Sequence, residues 1–343
     1  MSDITPPDSA IPFERFQSGV RPPHVFVVHP LRRHYWLHLL LFVVTVFTTL
    51  VVGSRLQYNF DHNLPAFQSD DDYFPLQWAL TSPEQLVHGI PFTLTLLGIL
   101  LAHEMGHFVY AAKNHVYATL PYFLPAPTLI GTMGAFIRIR SPIRSRAALF
   151  DIGIAGPIAG FLVAVPLMFW SLLLSKPAAG ISQSQLIFGT PLIFKGGLQV
   201  LHGLHLTGAT RLEDLYLHPV AVAVWVGMFA TALNLLPGGQ LDGGHIVYGM
   251  WPRAHRVISL LTVVALIPLI WNQWLGWLLW ALLLLITGFQ HPPVPTDPPL
   301  DSKRYVLGFC ALLMFIVTFT AQPFQMANTP TSLKDFIQSR RSH

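Results

Sequence analysis

The side chains best suited to chemistry in this sequence are two histidines and a glutamate within five positions, His103-Glu104-Met105-Gly106-His107. Residues four positions apart lie on one face of a helix, so His103 and His107 can offer two imidazole nitrogens to one metal ion. Zn²⁺ binds such nitrogens at about 2.0–2.1 Å, and Glu104 can act as a general base towards water. The motif predicts one catalytic Zn²⁺. The alternative is a pair of buried structural histidines beside a buried glutamate.

A catalytic zinc ion needs a third protein ligand and an open fourth position. The best candidate is Asp242, which lies between Leu241 and the pair Gly243-Gly244, with no obvious ion-pair partner nearby in the sequence. Glycines permit the close backbone approach that a carboxylate aimed into a helical bundle needs. The alternative is that Asp242 caps the N-terminus of the next helix.

The composition indicates that a membrane surrounds these residues. Hydrophobic residues make up 52% of the 343 positions and charged residues 10%, whereas a soluble domain has about 25% charged residues. The single cysteine, Cys310, excludes an internal disulfide. The basic residues lie in loops between apolar runs, so we expect no nucleic-acid partner.

Apolar runs of sufficient length predict an all-α polytopic membrane protein with about six to seven transmembrane helices. Five runs are clear, at residues 35–53, 90–112, 148–174, 219–236 and 305–321. The run 257–289 is too long for one span and has Asn272 and Gln273 between tryptophans, which predicts a helical hairpin that turns at the membrane interface.

A small β-strand or hairpin is predicted around residues 119–140, where three prolines precede a stretch rich in β-favouring residues. Two positions for it stay open. It is either a surface hairpin or a re-entrant element beside the site, whose free edge could pair with an unwound substrate.

Charges in the loops predict the orientation. Residues 113–147 carry five basic side chains and no acid, whereas residues 54–88 carry Arg55 against five acids. The basic loop is therefore expected in the cytoplasm and the acidic loop outside. The second and fourth spans then both run inwards, which brings the histidine motif and Asp242 to the same depth.

We predict three segments: a flexible cytoplasmic N-terminal tail (1–34), a membrane-embedded domain (35–322, with a catalytic core at 90–246) and a C-terminal tail (323–343). No cleavable signal peptide is evident. Asp151, at the start of the third span, is expected to cap that helix or to pair with Arg144 or Arg146. Glycines in the same span allow close packing, which we expect to be against the catalytic helix.

The two motifs resemble those of the site-2 proteases, intramembrane zinc metalloproteases that combine HExxH with an N-x-x-P-x-x-x-x-D-G motif. Here the second motif is formed by Asn234, Pro237, Asp242 and Gly243. The resemblance extends to residues 131–140 and 148–157. The longest loop, 175–218, is too short for a PDZ domain, which suggests the PDZ-lacking branch of the family.

The resemblance implies that His103, His107 and Asp242 bind one zinc ion and that Glu104 is the catalytic base. It also implies substrate-positioning roles for Asn234 and Gly134. An interhelical hydrogen bond is the alternative role for Asn234.

The expected function is hydrolysis of a peptide bond within or next to a transmembrane segment of a membrane-protein substrate. The expected setting is a bacterial plasma membrane, with the N-terminus and the site towards the cytoplasm. The physiological substrate and the oligomeric state are not predicted. An inactive scaffold or chaperone of the same fold is the alternative. A metal transporter is disfavoured because the candidate ligands lie on one helix and one adjoining loop, rather than on several spans.

Overall fold

The computed structural model describes residues 35–67, 70–179, 186–287, 292–295, 299–326 and 331–341. Two units separate, Met1–Tyr35 and Trp36–His343, and Tyr35 is the one described residue of the first. The predicted N-terminal tail, 1–34, lies outside the described residues. Everything below concerns the second unit.

The described residues are mostly helical. The α-helices are α1 Tyr35–Asp61, α2 Leu76–Thr81, α3 Ile90–Lys113, α4 Arg146–Leu174, α5 Leu192–Gly203, α6 Pro219–Asn234, α7 Asp242–Met250, α8 His255–Asn272, α9 Trp277–Thr287, α10 Ser302–Thr318 and α11 Leu333–Arg341. The strands are β1 Tyr122–Pro125, β2 Thr132–Phe136, β3 Lys176–Pro177, β4 Leu186–Phe188, β5 Leu215–Tyr216 and β6 Phe324–Met326. They pair as three two-stranded antiparallel sheets, β1–β2, β3–β5 and β4–β6.

Four stretches of helix in the described chain are long and apolar enough to cross a membrane: Tyr35–Asp61, Pro83–Lys113, Arg146–Leu174 and His255–Asn272. Two shorter helices, Pro219–Asn234 and Trp277–Ile286, are also apolar. The prediction of a polytopic helical membrane protein is confirmed. The predicted hairpin at 257–289 is present as α8 and α9, with the turn at Gln273, whereas the count of six to seven spans stays a prediction.

Helix α6 lies at the centre of the bundle. Its residues are apolar on every side and nearly all of them are buried, as expected for a helix with neighbours all round. It contacts both α3 and α4. Close approach is possible because small residues lie at the crossings, and a methyl group on Gly227 would lie 2.8 Å from the Ile99 side chain.

Helices α3 and α4 cross through glycines. A methyl group on Gly106 would overlap the Ala155 carbonyl of α4, and one on Gly156 would overlap the His107 ring of α3. At Gly160 the added carbon would lie 3.2 Å from the His103 side chain. The predicted close packing of the third span against the helix with the histidines is confirmed.

The β1–β2 hairpin confirms the predicted β-element at 119–140. It pairs Tyr122 with Phe136 and Phe123 with Ala135. Its turn is held by α1, because the Thr48 hydroxyl donates to the Gly131 carbonyl at 2.6 Å. Phe123 and Thr132 are 3% and 1% exposed, so the hairpin lies against the helices and is not a free surface element.

The N-terminal end of α6 meets the C-terminal ends of α1 and α4. Lys176 donates a hydrogen bond to the Phe60 carbonyl, and the Tyr216 hydroxyl donates to the Leu64 carbonyl at 2.8 Å. The His218 N–H donates to the Ser175 hydroxyl at 3.0 Å. We call this region the α6 N-terminal end. It lies at the opposite end of α6 from Asn234.

The expected pairing of Asp151 with Arg144 or Arg146 was wrong. Asp151 accepts two hydrogen bonds from Arg304 of α10, at 2.7 and 2.6 Å. This bidentate geometry suits a guanidinium group. Residues so far apart in the chain meet only because α10 packs on α4, a contact that the local sequence does not encode.

Candidate metal site

Helix α3 supplies three neighbouring polar side chains within an apolar environment. His103, Glu104 and His107 are 4%, 6% and 7% exposed. His103 lies ten residues before the end of α3 at Lys113, which is about 15 Å along the axis, within a stretch that is long and apolar enough to cross a membrane. Burial of such groups is costly unless they are paired or bind a metal.

Asp242 reaches the same point from the connection between α6 and α7. Its Oδ2 atom lies 3.2 Å from His103 Nε2 and 3.2 Å from His107 Nε2. Asp242 is the first residue of α7, but the N-cap is Leu241 and no side chain caps the helix. The alternative of a capping aspartate is therefore wrong, because the carboxylate faces the histidines.

Tight turns bring the carboxylate back towards α3. A methyl group on Gly243 would overlap the carbonyls of Leu235 and Leu236, and one on Gly244 would overlap the carbonyl of Gly239. The backbone therefore folds directly onto the end of α6. The two residues after Asp242 are glycines at positions where the chain leaves no room for a larger side chain.

The three side chains fit a tetrahedral metal ion. One ligand atom each from His103, His107 and Asp242 lies within 4.8 Å of the other two. Ligands at about 2.0–2.1 Å from a tetrahedral Zn²⁺ lie about 3.3 Å apart, close to the 3.2 Å separation of Asp242 Oδ2 from each imidazole Nε2. Two nitrogens and one carboxylate oxygen are ligand types that zinc accepts.

The tautomer of His107 strengthens this fit. Its Nδ1 lies 2.7 Å from the Ile152 carbonyl of α4, and a carbonyl can only accept, so Nδ1 carries the hydrogen. In the neutral ring the lone pair of Nε2 then faces the Asp242 carboxylate, which also only accepts. Two acceptors 3.2 Å apart need a cation or a proton between them, and a bound metal ion meets that need.

Asn234, the last residue of α6, approaches the same group. Its Nδ2 lies 3.3 Å from His103 Nε2, so an interhelical contact of the kind considered for this residue is present. If a metal ion used that Nε2 lone pair, the amide would be free to bind another acceptor nearby.

Two cavities meet at Glu104. The larger, about 440 Å³, is mostly apolar and extends from His103 and Glu104 along β2 and α6 to aromatic side chains. The smaller, about 230 Å³, is more polar and includes His107, Asp242 and His245. Glu104 and Asn234 line both cavities. We call His103, His107 and Asp242 the metal group. It therefore has a mostly apolar cavity on one side and a more polar cavity on the other.

Strand β2 forms part of the wall beside Glu104. Gly134 has φ 97° and lines the larger cavity, where an added methyl group would meet nothing within 4 Å. Its N–H donates to the Thr132 hydroxyl at 3.0 Å. Ile137, just beyond β2, lines the smaller cavity together with Glu104. The hairpin thus lies directly beside the glutamate.

Some residues around the site were missed in the sequence. The Ile152 carbonyl orients His107, and Gly156 makes room for that ring. Both lie in the glycine-rich stretch 148–157, and the glycines of this stretch are the sequence feature that could have indicated them. The aromatic wall of the larger cavity includes Trp225, Phe229, Trp274 and Phe324. It had no local signal, because these residues come from three separate parts of the chain: α6, the turn between α8 and α9, and β6.

Comparisons with known proteins agree with this geometry. Residues 91–270, more than half of the chain, match Peptidase family M50. "Probable zinc metalloprotease EGY1, chloroplastic" from Arabidopsis thaliana is 34% identical over 63% of this chain and 39% of its own length. The rice (Oryza sativa subsp. indica) "Probable zinc metalloprotease EGY2, chloroplastic" is 27% identical over 86% of this chain and 51% of its own length. The chain thus spans about half the length of these relatives, or less.

Proposed function

The chain belongs to peptidase family M50, which confirms the resemblance to site-2 proteases, and on that basis we propose that it is an intramembrane zinc metalloprotease. The reaction that we propose is hydrolysis of a peptide bond within or next to a transmembrane segment of a membrane protein. The convergence of His103, His107 and Asp242 beside Glu104, deep within the helical bundle, is the observation that carries this proposal.

His103, His107 and Asp242 are the proposed ligands of one zinc ion. When bound there, zinc would supply Lewis acidity towards a carbonyl oxygen and would make water acidic enough to react at neutral pH. The Ile152 carbonyl fixes the ring of His107 so that its Nε2 faces the ligand group. The packing of Gly156 and Gly160 against the two rings limits their movement.

Glu104 is the proposed general base. It lies next to the ligand group and lines both cavities, so it can take a proton from water on the polar side. It can then deliver that proton to the amine that leaves. Asn234 and Gly134 are proposed to position the substrate, because both line the larger cavity.

A membrane-spanning protein is the proposed substrate class. The larger cavity is lined mostly by apolar atoms, which suits an apolar segment. Backbone carbonyls in a helix are engaged in hydrogen bonds, so the segment must unwind before cleavage. Strand β2 pairs with β1 alone among the described strands, and the unwound segment could lie along it.

The orientation of the chain in the membrane and the identity of that membrane are also proposals. The basic residues between α3 and α4 favour a cytoplasmic position for that end and for the N-terminus, in the plasma membrane of a bacterium. The apolar helices support a membrane location. The relatives above are named as chloroplastic proteins of plants, so they do not support a bacterial plasma membrane. The membrane-embedded domain at 35–322, with its core at 90–246, is likewise proposed. In this proposed orientation the α6 N-terminal end faces the outer side of the membrane, and we therefore call it the outer end.

Cleavage of a tagged single-span protein by wild type, Glu104→Gln and Glu84→Gln tests the proposal. Glu84 undergoes the same chemical change but is exposed and distant in sequence from the site. We expect Glu104→Gln to retain one equivalent of zinc and to lose cleavage by about 10³-fold or more, while Glu84→Gln matches wild type. Equal cleavage by Glu104→Gln and wild type would show that the chain is not a protease of this mechanism and would favour the scaffold alternative.

A further inference from the structure

Helix α5 lies in the part of the chain that connects α4 with α6 at the outer end. This connection begins and ends at one place, because β3, directly after α4, pairs with β5, just before α6. Helix α5 has twelve residues and is therefore about 18 Å long. A helix of that length cannot cross a hydrocarbon layer of about 30 Å. The proposed protease chemistry does not use it.

The packing of α5 on α4 fixes its depth. A methyl group on Gly197, near the middle of α5, would lie 2.6 Å from the Met168 side chain and 3.6 Å from that of Leu172. These two residues lie six and two positions before the end of α4 at Leu174, which is about 9 and 3 Å along the axis. Helices that lie in a membrane surface bury their apolar side by about 5–10 Å. Helix α5 meets the span α4 at a matching depth.

Two features of α4 place this level at the membrane interface. The 29 residues of α4 are about 43 Å long, so the helix extends beyond a hydrocarbon layer of about 30 Å into the headgroup region. Trp170, between the two residues that contact α5, is 51% exposed, and tryptophan favours the interface of a bilayer. Lipid headgroups and the first part of the acyl chains therefore surround this end of α4 and the helix that packs on it.

Helix α5 has three sides of different character. Phe194, Leu198 and Leu201, spaced by four and three positions, are buried against the bundle. Lys195 and Gln199, four positions apart, form a second side that is polar and exposed. Contact with the bundle thus leaves a large part of the helix surface uncovered.

The third side is apolar and exposed. Leu192 and Val200, eight positions or about two turns apart, are 55% and 51% exposed. The turn after α5 adds Leu204 and Leu206, which are 62% and 56% exposed. Contact of this surface with water is unfavourable by about 25 cal/mol per Å² of apolar area. Acyl chains at the depth of α5 remove that cost.

The turn at the end of α5 holds these leucines in place. The Leu206 N–H donates to the Leu201 carbonyl at 3.0 Å. The His205 N–H donates to the His202 carbonyl at 2.9 Å, and His205 is left-handed, with φ 58°. Together these features define a Schellman motif, in which the residue at the position of Leu206 frequently packs back on the helix. Here Leu206 is exposed instead, so the turn directs an apolar side chain away from the protein.

The polar side of α5 borders a cavity of about 440 Å³. Lys195 and Arg211 line this cavity, with Glu213 as the one acid among its described lining residues. Gln199, also in the lining, donates to the Thr210 carbonyl at 2.8 Å. Two cations against one acid give the cavity a net positive charge, which suits the phosphate group of a phospholipid.

We propose that α5 and the turn at 204–206 form an interfacial element that binds the phospholipids of the leaflet at the outer end. The leucine and valine side chains of its apolar side enter the acyl region, and Lys195 and Arg211 contact the phosphate groups. The occupant is the membrane rather than a protein partner, because α5 packs on α4 at the level at which that span leaves the acyl chains. The element ties the outer end of the bundle to the bilayer surface.

Fluorescence quenching at single cysteines tests the depth of this element. The one native cysteine is first removed by Cys310→Ser. An environment-sensitive dye is then attached at Leu204→Cys, Gln199→Cys or Leu162→Cys, in the full chain, in vesicles of phosphatidylcholine and phosphatidylglycerol. Gln199 is the matched control on the polar side of α5. Leu162, 68% exposed and twelve residues before the end of α4, calibrates the middle of the bilayer.

We expect a nitroxide near the headgroup of the lipid to quench the dye at Leu204, and a nitroxide deep in the acyl chain to quench the dye at Leu162. Iodide in the water should quench the dye at Leu204 about fivefold less than the dye at Gln199. Leu206→Cys repeats the measurement if Leu204→Cys folds poorly. This readout requires no protease activity.

Two outcomes would overturn the proposal. Equal quenching by iodide at Leu204 and Gln199 would show that the apolar side faces water. Protection of Leu204 from iodide without quenching by either lipid nitroxide would show that a protein partner or a second copy of the chain covers this side.

Removal of charge tests the contact with phosphate. Lys195→Gln combined with Arg211→Gln removes the two cations of the cavity. Arg138→Gln combined with Arg140→Gln removes the same charge from exposed positions between α3 and α4 and is the control. Nitroxide-bearing phosphatidylglycerol should quench the dye at Leu204 about twofold more than nitroxide-bearing phosphatidylcholine in wild type and in the control. Loss of this preference is expected only in the first variant, and an equal preference in all three proteins would contradict the phosphate contact.

Discussion

Two polar clusters lie at opposite ends of α6 and differ in how their polar atoms are satisfied. At the outer end, each side chain has its own partner: Lys176 bonds the Phe60 carbonyl, Tyr216 the Leu64 carbonyl and His218 the N–H of Val220. At the other end, His103, His107 and Asp242 direct their atoms to one point. Polar side chains that pack within the fold are common to both ends of α6, and the convergence of their atoms on one point distinguishes the candidate site.

The electrostatic consequences also differ. At the outer end burial lowers the pKa of His218 and raises the pKa of Tyr216, with Asp61 acting on both. These shifts keep His218 neutral and able to cap α6, since its Nδ1 accepts from the Val220 N–H at 3.2 Å. Around Asp242 two acceptors face each other and require a cation or a proton. The outer cluster therefore stabilises the fold by itself, whereas the metal group needs a cation or a proton in addition.

The largest effect is expected for loss of a converging ligand. His107→Ala or Asp242→Ala should weaken zinc binding by about 100-fold or more, because two remaining ligands hold zinc poorly. His218→Ala also removes a half-buried imidazole but should leave zinc binding unchanged. Metal content after dialysis against a graded chelator measures both. Equal zinc loss in the His218 variant would mean that the comparison between the clusters is wrong.

The second-largest effect is expected for a substitution that fills the space beside a candidate ligand. Gly156→Ala would drive a methyl group into the His107 ring, whereas Gly98→Ala, within α3, meets nothing within 4 Å. We expect Gly156→Ala to lower kcat/KM by about 100-fold and to weaken zinc binding. Gly98→Ala should keep activity and raise stability slightly, since alanine favours a helix by about 1 kcal/mol over glycine. Similar activity in the two variants would contradict the close packing of α4 on His107.

A smaller effect is expected at the β1–β2 hairpin beside Glu104. Gly131 has φ 76° and an added methyl group would lie 2.6 Å from the Thr48 carbonyl. Gly134 has φ 97° but open space around it. Alanine is strained at both positions, by about 1–2 kcal/mol, and Gly131→Ala adds the clash with α1. Thermal unfolding in detergent should therefore rank Gly131→Ala as the less stable variant, and the reverse order would contradict the contact with Thr48.

The smallest effect is a pH dependence at the outer end. The lowered pKa of His218 means that the unfolded chain, with a pKa of about 6.5, binds a proton more readily than the folded chain. The stability from His218 is present above that value and is lost as the pH falls through it. His218→Asn keeps a capping side chain without titrating, so its melting temperature should fall less than that of wild type between pH 7.5 and pH 5. The same fall in both proteins would show that His218 does not titrate as proposed.

Much of the candidate site could be predicted from short stretches of sequence, because helix geometry is local. The spacing of His103 and His107 places both on one face of α3, and the apolar run around them predicts burial in a membrane protein. The β-favouring residues near Gly134 predicted the hairpin. The partners of Asp151 could not be predicted in the same way, because Arg304 lies 153 residues away.

The sequence by itself determined the helices, their apolar character and the three residues suited to bind a metal. The tertiary structure alone decided that Asp242 reaches the histidines, that the Ile152 carbonyl orients His107, and that Trp225 lines the larger cavity. The reason is physical: hydrogen bonds within a helix depend on neighbours four residues apart. The meeting of distant side chains depends on how α3, α4 and α6 pack, and that is fixed by shape over the whole bundle.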